Sequence, residues 1–335
     1  MTKGLFALLL AWALHSAAAP PRQPERAHYG NRPEARAFVA EMAERHGFVA
    51  RELQVLFSRA TRQPEILNAI RPPASPRSRS WQAYRAIFVN PRHIEEGVRF
   101  YALHAAALER AERDYGVPAE IIVAIIGVET FYGRNMGKWR VVDALATLAF
   151  DYPPRAEYFR SELEAFLLFA READLDVLEV RGSYAGAIGI PQFMPGSYRR
   201  WAVDFDGDGV ARLRSSPVDA IGSVANYLKA HGWIPGEPVA YAADIGTADA
   251  AALLAAGLKP SRSLADLAAA GISVRVEPAP RPGALAALVE LESRDAPSEY
   301  RAGLDNFYAI TRYNRSSFYA SAVFDLAEAI RSARK

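Results

Sequence analysis

The stretch EIIVAIIGVETFYG, Glu120 to Gly133, is apolar on every side for two turns, so it reads as a helix buried all round rather than along one face. Pro118 ahead of it is placed as a first-turn residue. Glu129 follows the run IIVAIIGV and precedes Phe131, Tyr132 and Gly133, which puts it near the C-terminal end of that helix. Desolvation penalises a carboxylate there and the negative end of the helix dipole adds to the penalty, so the group can hold a proton near neutral pH, as a general acid must. Taken from this helix alone, Glu129 fits equally a carboxylate that surfaces where a core helix reaches water.

Helical periodicity surrounds this segment. Apolar residues from about Arg36 to Asn68 recur at helical spacing and are interrupted by Gly47 and Gln63-Pro64, which predicts a helical pair or triplet. Pro72, Pro73 and Pro76, with Ser75, Ser78 and Ser80, read as an extended linker before Trp81. A further helical series runs from about Pro91 to Tyr115 and stops at Gly116, and others cover about Val141 to Phe150, Ala156 to Glu172, Pro217 to His231 and Phe307 to Arg334. Between Gly236 and Ala302 the alternating pieces ISVRVE and ALVELE predict a small sheet inserted in a helical protein. No internal repeat is present.

Composition narrows the class. The chain has 335 residues, half of them hydrophobic, enough for one large subdivided unit with a sizeable core. Lys and Arg total 40 against 38 Asp and Glu, a net charge of +2, which gives no nucleic-acid footprint. The absence of Cys excludes disulfides, thiolate metal sites, Cys nucleophiles and a thioether-linked lipid. Residues 1–19 place one Lys before an apolar run from Leu5 to Leu14 and end in small residues, the layout of a secretory signal, and residues 20–35 read as a flexible polar segment. The expectation is an exported, periplasmic, soluble monomer with no membrane anchor.

Three further features carry chemistry. SYAGAIGIPQFMPGSY, Ser183 to Tyr198, has three Gly, two Pro and no charge, and reads as a shaped loop. Gly186, Gly189 and Gly196 permit close approach or positive φ, while Ser183, Tyr184, Gln192 and Tyr198 offer neutral hydrogen-bond groups and flat faces suited to a sugar ring; a packed structural turn fits the same residues. DFDGDG, Asp204 to Gly209, matches the first half of a helix-loop-helix calcium loop. Its twelfth position is Ser215 instead of Glu, with Asp219 four residues later able to close a longer loop and the carbonyl of Val210 in the seventh position; an Asp-Gly surface turn is the alternative. Tyr84, Tyr227 and Tyr313 with Asn314 fit sugar contacts or ordinary half-buried aromatics. Paired His ligands, a phosphate-binding Gly loop and a G-x-S-x-G elbow are all missing, and no organic cofactor is expected.

Together these segments resemble the lytic transglycosylases of the membrane-bound lytic murein transglycosylase B type. The resemblance runs from about Ala37 to Leu326 and is carried by DYGVPAEIIVAIIGVETFYG, DALATLAFDYPPRAEYF, SYAGAIGIPQFMPGSYRRWAVDFDGDG, PVDAIGSVANYLKAHGW and NFYAITRYNRSSFYA, in one order. It implies a mostly α (α+β) fold in a unit spanning 36–335: a helical domain (about 36–100 plus 307–335), a lysozyme-like core (101–235) and a small β subdomain (236–302).

The resemblance also implies cleavage of the MurNAc-GlcNAc backbone of peptidoglycan, with Glu129 as the single acid and base and a 1,6-anhydro sugar as product. By the same likeness Tyr84, Arg155, Ser183, Gln192, Tyr227, Tyr313 and Asn314 line the saccharide cleft, and Asp204, Asp206, Asp208, Val210 and Asp219 hold a structural calcium ion. Pro154 departs from the family's Arg beside Arg155, where the peptide stem would be contacted, and the loop from Asp204 to Asp219 is one residue longer than the family's. A hydrolytic muramidase on the same fold and a non-catalytic glycan-binding protein are the competing expectations. Partners in a cell-wall machine are not indicated by the sequence.

Overall fold

The structure, a computed structural model, describes residues 27–71, 80–294 and 296–335. The expected signal segment 1–19 and linker residues 72–79 lie outside the described residues.

The chain opens with α1 (Pro33–His46), α2 (Ala50–Arg59) and α3 (Pro64–Ala69), the triplet that the apolar spacing predicts. Pro sits in the first turn of α1 and of α3, where its missing N–H costs nothing, and Gly47 ends α1 in the left-handed region at φ 66°. The expectation of a flexible segment over residues 20–35 is corrected for residues 27–35, residues 20–26 lying outside the described residues. Tyr29 is fully buried and its hydroxyl donates to Asp151 Oδ2 at 2.6 Å, while Arg32 pairs with Asp151 Oδ1 at 2.6 Å. A buried aromatic with a satisfied hydroxyl anchors the backbone around it, whatever the Pro content of the segment.

α4 (Trp81–Phe88), α5 (Pro91–Leu103) and α6 (Ala105–Tyr115) follow. Asn90 caps α5 by accepting from the His93 N–H, and the helical series to Tyr115 consists of two helices that meet at His104, with Gly116 stopping the second at φ 72°. Next comes α7 (Ala119–Thr130), with nine of its twelve residues buried, as an all-round apolar pattern requires. Pro118 is its N-cap rather than a first-turn residue.

Around α7 are β1 (Trp139–Arg140), α8 (Val141–Asp151), a 3-10 turn at Pro153–Arg155, α9 (Ala156–Glu172), β2 (Arg181–Gly182), α10 (Pro195–Trp201) and α11 (Pro217–Ala230). β1 and β2 form a short antiparallel ribbon. α1 to α3 dock on α8, where the Asp143 carboxylate accepts from the Thr61 N–H and hydroxyl and from Gln63 Nε2.

The insertion holds β3 (Ala240–Asp244), α12 (Ala251–Ala255), β4 (Arg262–Ser263), α13 (Leu264–Ala269), β5 (Ser273–Val274), β6 (Leu285–Leu291) and β7 (Glu299–Gly303). Its five strands are ordered β4-β6-β7-β3-β5 with antiparallel neighbours throughout. Period-two alternation explains how so small a sheet is held: on β6, Ala286 and Leu288 face the insertion's own core with Leu267 and Ala302, whereas Val289 and Leu291 join the main helical core. The chain returns through α14 (Asp305–Tyr313) to α15 (Ser317–Ala333), which packs along α7, α5 and α4. Asp325 on α15 bridges Arg85 of α4 at 2.6 Å and Arg301 of β7 at 2.8 Å, and Trp81 Nε1 donates to Glu299 Oε2 at 3.0 Å.

Candidate active site

Glu129 is the penultimate residue of α7, and the turn behind it is unusual. Phe131 and Tyr132 both take positive φ, 49° and 60°, which β-carbon sterics disfavour. Thr130 holds that turn in place: its hydroxyl donates to Ile190 O at 2.8 Å and accepts from the Gly133 N–H at 2.9 Å. The Tyr132 hydroxyl donates to His93 O at 2.7 Å, and its ring lies so close to Gly127 that a Cβ there would stand 2.7 Å from it. A small residue at 127 is therefore a condition for this chain reversal.

The Glu129 side chain is partly buried, and three tyrosines converge on it. The Tyr319 hydroxyl donates to Glu129 Oε1 at 2.6 Å, and Tyr84 and Tyr313 are close enough that the carboxylate charge pushes their own ionisation upward. Burial raises the Glu129 pKa from the ordinary 4.5 to about 7, and the Tyr319 hydrogen bond opposes that rise. Tyr84 is pushed up to about 12, mainly by its own burial, so it stays a neutral donor. The ring of Tyr313 stacks parallel to that of Tyr319 at 6.4 Å and edge-on to Tyr227 at 4.8 Å.

The Ser183–Tyr198 loop packs against this cluster. Ile188 and Phe193 exchange backbone hydrogen bonds at 2.8 and 3.1 Å, closing a tight turn with Gly189 at φ 79° and Gln192 at φ 51°. At Gly189 a Cβ would lie 2.5 Å from Leu213 O, so close approach and positive φ are both used there. Three ties fix the loop: Thr130 to Ile190 O, Tyr313 to Pro191 O at 2.7 Å, and the Ile190 N–H to Leu213 O at 2.8 Å.

The sequence candidates are distributed unevenly around this centre. Tyr84 and Tyr313 stand by Glu129, and Tyr227 is one ring further out, its hydroxyl donating to Arg312 O. Gln192 is next in the loop, its amide nitrogen donating to Gly189 O at 2.8 Å and Met136 O at 3.2 Å. The Ser183 hydroxyl is engaged by the Ala185 and Ala187 N–H groups. Tyr184 is 41 % exposed, Asn314 caps α14 in solvent, and Arg155 lies over the Tyr158 ring at 4.4 Å. Tyr319, which touches the carboxylate, was not among the candidates; the signal for it was its place in NFYAITRYNRSSFYA beside Tyr313.

The acidic loop is a separate centre. Asp204, Asp206 and Asp219 each bring a carboxylate oxygen within 4.8 Å of the others, a donor set of hard oxygens that fits calcium. Asp219 is fully buried and accepts the N–H groups of Phe205 and Arg212 at 2.8 and 2.7 Å. The Asp208 carboxylate is not part of this set. Asp208 is ion-paired with Arg212, and the Val210 N–H donates to Asp208 Oδ1. The guanidinium four residues on competes with a cation for that carboxylate.

Comparison with known proteins identifies the company this geometry keeps. The Transglycosylase SLT domain model matches residues 30–328. The chain is 47% identical over 315 residues to the membrane-bound lytic murein transglycosylase B of Escherichia coli (strain K12), covering 91% of this chain and 85% of that one. It superposes on the soluble lytic transglycosylase SltB1 of Pseudomonas aeruginosa with a TM-score of 0.82 at 50% identity, covering 90% and 99% of the two chains. The Escherichia coli lytic transglycosylase Slt35 in complex with calcium gives a TM-score of 0.79 at 46% identity, over 91% and 94%. The expected fold class, mostly helical with a lysozyme-like core and a small inserted sheet, is the one the chain adopts. With the family model matching nearly the whole described chain, the protein belongs to the lytic transglycosylases of the Transglycosylase SLT domain family.

Proposed function

We propose that this enzyme cleaves the MurNAc-β-1,4-GlcNAc bond of peptidoglycan without water, with Glu129 as its one acid and base. The observation that carries the reading is a carboxyl group raised to about 7 and surrounded by tyrosines, with no second carboxylate acting on it among the described residues. Hydrolysis by paired carboxylates needs such a partner.

In this scheme Glu129 donates its proton to the glycosidic oxygen as the C1–O bond breaks and the electron pair leaves with the GlcNAc oxygen. The acetamido oxygen of the MurNAc unit stabilises C1. The Glu129 carboxylate then removes the proton of the 6-hydroxyl, whose oxygen bonds to C1 and closes the anhydro ring, leaving Glu129 protonated for the next cycle. Tyr319 is assigned to orient the carboxyl group. Tyr84, Tyr227, Tyr313, Gln192, Ser183, Tyr184, Arg155 and Asn314 are assigned to the saccharide cleft, where tight placement of the 6-hydroxyl favours ring closure over attack by water.

Asp204, Asp206 and Asp219 would hold a calcium ion with a structural role, neutralising carboxylates that otherwise repel one another; Asp208 and the Val210 carbonyl would complete the set once Arg212 releases Asp208. No helix among the described residues is long and apolar enough to cross a membrane. Export of a monomer to the periplasm, the reading of residues 1–19, would bring the active site to its polymer.

Digestion of purified peptidoglycan followed by mass spectrometry tests the scheme. The expected products are one water lighter than those of hydrolysis, and Glu129→Gln releases none. Reducing ends of full mass would establish a muramidase instead, and binding without release by the unaltered protein would establish a glycan-binding protein.

A further inference from the structure

Glu162 is a buried carboxylate that the proposed chemistry leaves unused. It lies on α9 one turn beyond Tyr158, is 7% exposed, and its Oε2 accepts the Gly196 N–H at 2.7 Å. Burial raises its pKa, while the Gly196 N–H and the charge of Arg200 oppose the rise. A carboxylate kept out of water costs the fold stability that an apolar residue in its place would not. Its presence therefore asks for a task.

What Glu162 holds is the end of the active-site loop. Pro195 and Gly196 open α10, and the N-cap residue, Met194, makes no side-chain capping bond to the free N–H groups. Glu162 supplies an acceptor from a different helix. The rest of α10 is docked on α9 independently: the Tyr198 ring lies 4.2 Å from that of Phe169, and Arg199 pairs with Glu172 at 2.7 Å. Loss of Glu162 thus frees the first turn of α10 while the helix stays in place. Just ahead of that turn, Gln192 is at φ 51°, a conformation that persists only where the surrounding structure imposes it. On its N-terminal side, Ile190 and Pro191 are tied to Thr130, Leu213 and Tyr313. On its C-terminal side the ties are the Phe193 backbone, bonded to Ile188, and Glu162 on Gly196.

We propose that Glu162 is a positioning residue: through Gly196 it fixes the Gln192 end of the loop relative to α9 and to Arg155 at the start of that helix. Gln192 and Arg155 are both assigned to the saccharide cleft, so the inference rests on the function proposed above. Glu129 is oriented without Glu162. Tyr319 and Thr130 hold the carboxyl group and its turn, and Glu162 is not among the groups that shift its pKa. Placement of the glycan strand depends on Glu162, and proton transfer does not.

The test is steady-state cleavage of purified glycan strands by the full chain, with thermal melting recorded in parallel. In Glu162→Leu, KM is expected to rise about ten-fold while kcat stays within about two-fold, the loss expected when one charge-assisted hydrogen bond leaves a binding element. Glu162→Gln, whose amide oxygen still accepts from Gly196, should restore KM. Glu162→Asp keeps the charge but falls one methylene short and should behave as the Leu variant, and it carries the test if the Leu variant does not fold. A lowered melting temperature with KM unchanged makes Glu162 merely structural and overturns the proposal. A KM raised equally in the Gln variant overturns it too, because the charge and not the bond would then be needed. An unaltered protein that releases no fragments overturns the cleavage reading itself, whereas variants that cut as it does overturn this inference alone.

Discussion

Tyr319 donates its hydroxyl hydrogen to Glu129 Oε1 across a sequence separation of 190 residues, at 2.6 Å. A donor to the carboxylate favours the ionised form, while burial favours the protonated one, and burial is the larger of the two. The balance leaves Glu129 near 7, where it can both give and take a proton.

The first prediction concerns pH. With Glu129 as the proposed acid, kcat/KM should fall about tenfold per pH unit above an apparent pKa of about 7. Tyr319→Phe removes the bond that lowers this pKa, so the alkaline limb moves upward while kcat drops by roughly tenfold from lost orientation. A pH profile of both proteins checks it; a limb that stays in place would show that Tyr319 does not act on the carboxyl group.

Stability follows the same group with a definite sign. Between the ordinary 4.5 and about 7 the folded chain binds a proton that the unfolded chain has released, so stability from Glu129 declines as pH rises through that window. Glu129→Gln has no such decline. Thermal melting should show the variant gaining on the parent between pH 5 and pH 8, by up to roughly 3 kcal/mol.

Gly189→Ala should destabilise the fold by roughly 2 to 4 kcal/mol and reduce cleavage with it, because the new Cβ meets Leu213 O at 2.5 Å from a backbone at φ 79°. Gly207→Ala is the control. Its φ is also positive, but nothing stands within 4 Å of the added carbon, so its loss should be confined to about 1 kcal/mol of backbone strain. Denaturant unfolding separates the two.

In the acidic loop, chelation should lower the melting temperature of the parent. Asp206→Ala should abolish that calcium dependence at little cost in chelator, since Asp206 is exposed. Asp219→Ala should cost about 3 kcal/mol in chelator, because the Phe205 and Arg212 N–H groups lose their acceptor, and more with calcium, because a ligand of the ion goes with it. Identical melting of the parent with calcium and with chelator would rule out the ion.

Local pattern carried most of the fold into view. The helix around Glu129 is apolar throughout and could be nothing but core, and the Gly stops at 47 and 116 act locally. What stayed hidden depends on distant partners. Tyr29 lies in a Pro-rich segment whose composition suggests a free tail, yet its hydroxyl finds Asp151. Asp208 fits the spacing of a calcium loop, but Arg212 lies within reach and takes it. Tyr319 resembles any aromatic on a core helix until that helix is placed against α7.

The inserted sheet has a consequence for when the enzyme becomes active. Every residue of the insertion leaves the ribosome before Tyr313 and Tyr319 do, so the carboxyl group on α7 waits through most of synthesis without the hydroxyl that orients it. The contact exists only once α15 is docked, and the bridges of Asp325 to Arg85 and Arg301 tie that helix to α4 and β7. On the proposed role of Glu129, a polypeptide cut short before α15 carries the carboxyl group without the Tyr319 hydroxyl that meets it or the helix that packs along α7.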